Sequence, residues 1–378
     1  ATMLMHTRGL LVMTDQGAMV LTGKKALDFS GCVSAEDDLA LGGYTSIMGP
    51  NGQAQAWAKN LGDAYKLLHR YYDLTYVPPG AGFAPPRATA DPIDRDVCLT
   101  PYPAELDHGF TTVGEVFAAT HNPDRKRPFA VRPIMGALSD GDVDPVERWG
   151  AMHGAETAVV WESRVGGVAV TLVGIENQSV NRMGQVAADG PDKLAGGTLY
   201  PLASRKVARA LNAASGRRPV VVLANLSGFD GSPESLGRWQ LEYGAEIGRA
   251  VVDFAGPIVF VVLSRYHGGA YVVFSKALNP RLTAVALEGS FASVIGGAPA
   301  AAVVFSGEVR RRARLNGDTP EAHAAAIAEV ASEFDAVHTV ERARRVGSID
   351  DIIAASALRP YVVRTLREAL EKWPVPSA

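Results

Sequence analysis

Apolar positions along the chain fall into two patterns, unbroken runs and runs spaced three to four residues apart. "PVVVLANL" and "PIVFVVLSR" are of the first kind. Such runs, bounded by glycine or proline, predict strands covered on both faces. "ETAVVWESRV" leads through Gly166-Gly167 into "VAVTLVGIEN", which predicts a hairpin. The spaced pattern predicts helices. Ala54–Tyr71 sets Ala58, Leu61, Ala64, Tyr65 and Leu68 on one face, and "PLASRKVARALNAAS" does the same with Val207, Leu211 and Ala214. Helices are also expected over "SLGRWQLEYGAEIGRAVVDF", the glycine-led "GGAYVVFSKAL", Thr319–Phe334 and Leu358–Trp373. Near the start, Gly9–Met13 and "AMVLTG" predict two short strands, and further on "LTAVALEG" and "AAAVVF" predict short buried elements. Strand, glycine loop, helix, strand is the order of an α/β fold with parallel pairing.

Between Val77 and Pro103 the periodicity stops and seven prolines appear, so the segment predicts a linker. The expected organisation is residues 1–76 as one domain's end, linker 77–103, a main domain 104–345 and a helical tail 346–378. With 378 residues, 47% apolar and 20% charged, the chain has material for a globular core. Thirty-seven Lys and Arg against 40 Asp and Glu, a net charge of −3, argue against a nucleic-acid partner, which selects a strongly basic face. Cys32 and Cys98, the only cysteines, stand far apart and build no disulfide framework, which suits a reducing cytoplasm. No apolar run reaches the roughly 18 residues of a membrane span, and no cleavable leader pattern opens the chain. The expectation is a soluble, cytoplasmic protein.

The familiar catalytic constellations are weak. His153 with Glu156 and His338 with Glu341 have a helical three-residue spacing but no identifiable third ligand, so no metal is expected. "GPNGQ" at 49–53 lacks the GK[ST] ending of a phosphate-binding loop, and Gly-x-Ser-x-Gly does not occur. What stands out is "LANLSGFDGSPES" (223–235) followed by "SRYHGGAY" (264–271), each where a strand run ends and a helix begins. Backbone N–H groups at such turns stabilise a developing oxyanion without any ionisable side chain. Two tight helix–strand packing turns would need the same glycines.

These segments resemble the carboxyltransferase of biotin-dependent acyl-CoA carboxylases, the acetyl-CoA and propionyl-CoA carboxylase family. "AMVLTG", "ALDFSGCVSAEDDLALGGY" and "MGPNGQAQ" are similar to the end of that family's N-terminal domain. "VGIENQ", "AGGTLYPLASRKVARALNAAS", "RPVVVLANLSGFDGSPES", "LEYGAEIGRAVVDFAGPIVFVVLSRYHGGAYVVFSKALNP" and "FDAVHTVERARRVGSIDDII" follow its C-terminal domain in order. The resemblance implies crotonase-like α/β superhelical domains and a site between two protomers, with biotin on the C-domain and acyl-CoA on the N-domain. It implies transfer of carboxylate from carboxybiotin to the α-carbon of an acyl-CoA, with Gly269 and Ala270 supplying the catalytic N–H groups. Gly228, Phe229, Gly231, His267, Gly268 and Tyr271 inherit the biotin side, and Gly42, Gly43, Asn51 and Gly52 the acyl-CoA pocket. Implied partners are a biotin carboxyl carrier, a biotin carboxylase and further copies in a homo- or hetero-oligomer. Eukaryotic members of that family often carry Arg where His267 stands, whereas propionyl-CoA-type enzymes have an uncharged residue. The resemblance begins part-way through the N-terminal domain, so its start is expected on a second chain or in a longer parent. The alternative reading is a non-catalytic scaffold or carrier-binding subunit.

Overall fold

The computed structural model describes residues 9–31, 33–186 and 190–373; Cys32 lies outside the described residues. Strands β1 (Val12–Thr14) and β2 (Ala56–Ala58) pair in parallel. The main sheet has eight strands and takes in β3 (Val146–Arg148), β4 (Ala158–Val165), β5 (Val168–Ile175), β6 (Val220–Leu226), β7 (Ile258–Tyr266), β8 (Leu282–Leu287) and β9 (Asp351–Ile353). They lie side by side in the order β9-β8-β7-β6-β5-β4-β3, and Phe291–Ala292 adds to β7. The hairpin expected around Gly166-Gly167 is β4–β5, paired antiparallel from Ala158 with Ile175 to Val165 with Val168. From β5 to β9 every neighbour is parallel.

Helices cover both faces. Val220, Val222 and Ala224 of β6 pack with α3 (Pro201–Ala214) and α4 (Gln240–Val252). Val221 and Leu223 face the other way, toward α2 (Val131–Leu138) and α8 (Leu358–Glu371). The strand sequence is therefore apolar at every position because both sides are core. Val207, Leu211 and Ala214 sit on the buried face of α3, where their spacing placed them.

The differences from expectation have local causes. Residues 56–58 are spent on β2, and α1 runs over Leu61–Thr75, started by the Asn60 side chain accepting from the Asp63 N–H. A helical stripe read through 54–58 missed that cap. "AMVLTG" forms only a single bridge, Ala18 with Gly43. The helix expected over 235–254 breaks at Trp239, whose φ of 69° is left-handed, and resumes as α4. "AAAVVF" winds as a π-helical turn over Ala300–Val304 with Val303 and Val304 exposed, leading to α6 (Ser306–Leu315) and α7 (Pro320–Val337).

The proline-rich segment is bound along the main core. Arg87 N–H donates to the Gly167 carbonyl (2.9 Å), and Ala84 N–H to that of Arg217 (3.0 Å). The fully buried Arg359 of α8 donates to the carbonyls of Pro92 and Leu138 and to the Asp140 carboxylate, and lies 3.2 Å from Asp91. Gly167 has φ +80°, and a β-carbon there would stand 2.0 Å from the Arg87 carbonyl oxygen. Gly167→Ala is expected to cost about 1–3 kcal/mol through strain and overpacking. A urea midpoint equal to that of the unchanged protein would refute this.

Under the sheet edge lies a buried ion triad. The Glu162 carboxylate of β4 accepts from Arg148 (2.9 Å), from Nε and Nη2 of Arg218 (2.8 Å each) and from Thr171 Oγ1 (2.7 Å). All three charged side chains are at most 1% exposed. The Arg148 guanidinium stacks over Trp149, its carbon 4.2 Å from the ring centre.

Candidate functional site

The ends of β6 and β7 lie next to each other because the two strands pair in parallel, and their following turns meet. Gly228 (φ 140°) and Gly268 (φ 66°) both adopt backbone that disfavours a side chain. A β-carbon on Gly268 would come within 3.1 Å of the Gly228 Cα. His267 N–H donates to the Leu226 carbonyl and Gly268 N–H to that of Val294, which tie the turn down. After it comes the short helix α5 (Gly269–Val273), whose first two N–H groups, on Gly269 and Ala270, donate to no acceptor among the described residues. Ala270 is fully buried.

Phe229 closes one side of the turn. A β-carbon on Gly269 would lie 2.5 Å from its Cδ2 and 2.7 Å from its Cε2. Gly231, further along the same loop, faces open space. Tyr271 points away from the turn, donating from its hydroxyl to Ser348 (2.5 Å), while its carbonyl accepts from Tyr266. The His267 ring is buried, with Nδ1 3.2 Å from the Ser293 carbonyl oxygen and 3.3 Å from its hydroxyl. Burial pushes the imidazole below its ordinary 6.5, against the pull of the Ser293 carbonyl. That shift favours the neutral ring.

A third loop joins this pair. Gly197 (φ 74°) donates to the Glu176 carbonyl (2.6 Å) and accepts from Ser227 N–H (2.7 Å), and Thr198–Leu199 pair with Gly228–Phe229. A β-carbon on Gly196 would stand 1.9 Å from the Asn177 carbonyl oxygen. The doublet Gly196-Gly197 was visible in the sequence, but nothing there linked it to residues 225–229. Asn225 beneath it is buried with no partner for Oδ1.

Gly42, Gly43, Asn51 and Gly52 form a separate group in the N-terminal segment. Gly42 packs on the Met19 carbonyl, Gly43 on that of Leu39, and Gly52 (φ 71°) on the Met152 side chain. Asn51 is exposed and accepts from Gln53 N–H, while Arg209 of α3 donates to the Gly52 carbonyl. No hydrogen bond among the described residues links this group to the 228 and 268 turns. The candidate metal pairs are used locally: Glu156 accepts from the Gly154 and Met183 N–H groups, and His338 Nδ1 lies 2.8 Å from the Phe334 carbonyl oxygen. No cluster of three or more His, Cys, Asp or Glu that could hold a metal forms among the described residues.

The carboxyl transferase domain family matches residues 5–374, almost the whole chain. The chain belongs to this family. The mitochondrial acetyl-CoA carboxylase of Saccharomyces cerevisiae (strain S288c) is 26% identical over 285 residues, covering 71% of this chain and 12% of that protein. The acetyl-CoA carboxylase of Schizosaccharomyces pombe is 24% identical over 281 residues, covering 71% of this chain and 11% of that one. The chain thus spans only a small part of the curated relatives it matches. The crystal structure of transcarboxylase 12S, a hexamer with methylmalonyl-coenzyme A and methylmalonic acid bound, superimposes with a TM-score of 0.74 at 21% identity. That match covers 98% of this chain and 62% of the transcarboxylase chain, and the shared fold is the crotonase-like α/β fold of carboxyltransferases.

Proposed function

We propose that this chain supplies the biotin side of a carboxyltransferase that moves carboxylate from carboxybiotin to the α-carbon of an acyl-CoA of the acetyl or propionyl class. The observation that carries the reading is the pair of undonated N–H groups on Gly269 and Ala270, set in bare backbone opposite Gly228. A planar ureido ring fits such a cradle, since Gly269 is exposed, the Gly228 and Gly268 backbones pack on each other beside it and Phe229 offers an aromatic wall. Bound there, biotin would supply the carboxyl group and, once relieved of it, a base.

The chain's own residues orient and neutralise. Gly269 and Ala270 N–H hold the ureido oxygen as negative charge develops on it, aided by the start of α5. Gly228 and Gly268 let the ring approach the main chain, and Phe229 excludes water from one side. Burial favours the neutral His267 ring, which then offers the carboxylate product no ion pair. On this reading Gly42, Gly43, Asn51 and Gly52 lie on the acyl-CoA side. The N-terminal segment exposes Leu21, Phe29, Trp57, Leu61 and Tyr65, an apolar face of the sort that protein partners cover. It suits a second chain, or more of this one, completing the acyl-CoA half in an oligomer served by a biotin carboxyl carrier and a biotin carboxylase. No helix among the described residues is long and apolar enough to cross a membrane, which agrees with a cytoplasmic setting.

The completed assembly should move label from malonyl-CoA or methylmalonyl-CoA to free biotin or to a carrier. Carrier binding without any label transfer would replace this reading with that of a scaffold subunit.

A further inference from the structure

A cleft of about 520 Å³ opens between α2, the start of β4, the end of β5 and α3, and it shares no lining residue with the glycine turns. At its base is Lys206 of α3, 2% exposed, whose ammonium donates no hydrogen bond to any described residue. The ammonium opens to the cleft, and a cation so enclosed is costly until water or an anion meets it. Its charged surroundings are only partly engaged. Arg132 and Glu147 form a two-pronged pair with each other (2.5 and 2.9 Å), Glu156 accepts two backbone N–H groups on Oε1 while its buried Oε2 has no partner, and Glu105 also lines the cleft. Glu176, 3% exposed, accepts the Val131 N–H at the start of α2 (3.0 Å). The remaining walls include Pro103, Ala130, Pro133 and Ala158.

We infer that this cleft is a binding site for a small monocarboxylate, its carboxylate on the Lys206 ammonium and its apolar tail against the proline and alanine walls. The volume lies within the range of small-molecule sites, and an apolar cleft with a few convergent polar groups is their usual form. Two titratable groups of shifted affinity meet here, as they do at functional sites. Burial raises the Glu176 carboxyl to about 7, against the Val131 N–H, Arg132, the Gln178 side chain and the Asn177 N–H. Burial lowers Lys206 to about 8, with Glu147 and Glu156 opposing that and Arg132 adding to it. Below pH 7 Glu176 is an uncharged donor and Lys206 a cation, the combination that receives an anion. Above pH 8 both change against it. The inference does not depend on the reading of the glycine turns.

The test uses carbon-13-labelled butyrate and the purified protein at constant ionic strength, with binding followed by saturation-transfer NMR. Saturable binding at millimolar concentration is expected, tightening from pH 8 to pH 6. Lys206→Met should weaken it by about tenfold or more, the scale of one lost ion-paired contact. Glu176→Gln should keep the binding and flatten its dependence near pH 7. Should Lys206→Met fail to fold, Asn181→Trp at the exposed mouth blocks entry without touching a buried charge, and must abolish the signal. No saturable binding by the unchanged protein, or binding unaltered by Lys206→Met or by Asn181→Trp in folded protein, overturns the inference.

Discussion

Gly269→Val is expected to lower carboxyl transfer per folded molecule on the order of 100- to 1,000-fold, the loss that follows removal of one oxyanion-hole donor. Valine keeps the N–H but brings branched carbons onto the side of the turn that the Phe229 ring already fills. The first of them would lie 2.5 Å from Phe229 Cδ2, so the ring has to move or the turn has to open. Either motion turns the Gly269 and Ala270 N–H groups away from a common point. The contact with Phe229 also gives the packing explanation its own test. In Gly269→Val combined with Phe229→Ala, the ring that would collide is gone, and stability should recover. If the glycine serves packing alone, turnover recovers with it. If the backbone must be approached by a planar ligand, the double variant folds and its turnover stays far below that of Phe229→Ala alone. Full turnover in the single variant removes Gly269 from the site.

The largest effect on stability should come from Glu162→Gln. It leaves the Arg148 and Arg218 guanidiniums, each 1% exposed, facing each other without a countercharge. Breaking a buried pair from one side costs about 3–5 kcal/mol, chiefly because the partner stays buried and unpaired. Replacing all three side chains by leucine or methionine should cost far less, since no charge then remains to be solvated. The triad also sets an acid limit. Burial alone would raise the Glu162 carboxyl; the charges of Arg218 and Arg148, with hydrogen bonds from Arg218 and Thr171, outweigh it and hold the group below 4.5. A carboxyl lowered in the folded state contributes its stability in full above the ordinary value and loses it as pH falls through the lowered one. Urea titrations from pH 6 downward should therefore show a fall that the triple apolar variant lacks. Equal midpoints for Glu162→Gln and the unchanged protein at pH 7 would refute the role given to the triad.

Much of the scaffold is legible in the chain because a two-sided strand leaves an unmistakable trace. β5, β6 and β7 are apolar at nearly every position, and the glycine pair between β4 and β5 can only be a turn. α3 is equally plain, with its apolar face repeating at helical spacing. The break at Trp239 is only partly legible: Gly237 ends the preceding turn of helix, but the left-handed tryptophan is set by the packing around it. Asn60 is a readable cap, but the periodicity running through 54–58 competes with it, and pairing with β1 decides the matter. At the site, the ordered motifs point to residues 228–231 and 267–271, while the reason those turns meet is the parallel pairing of β6 with β7. That is a fact of three dimensions. The contact of Phe229 with Gly269, the place of Gly197 in the same cluster and the position of Lys206 in the cleft all arise from the same source. A helical spacing says which face of α3 is buried, not what its lysine meets there.

Arg359 has a consequence for the order in which the protein can be finished. Its acceptors lie at Asp91, Pro92, Leu138 and Asp140, more than two hundred residues earlier in the chain. On the ribosome those carbonyls and carboxylates emerge long before the guanidinium that joins them, while domains otherwise settle from the N-terminal end as they are made. The bound course of the proline-rich segment is thus completed only after α8 has been synthesised. A ribosome stalled before residue 359 should display that segment open to protease, and release of the finished chain should close it.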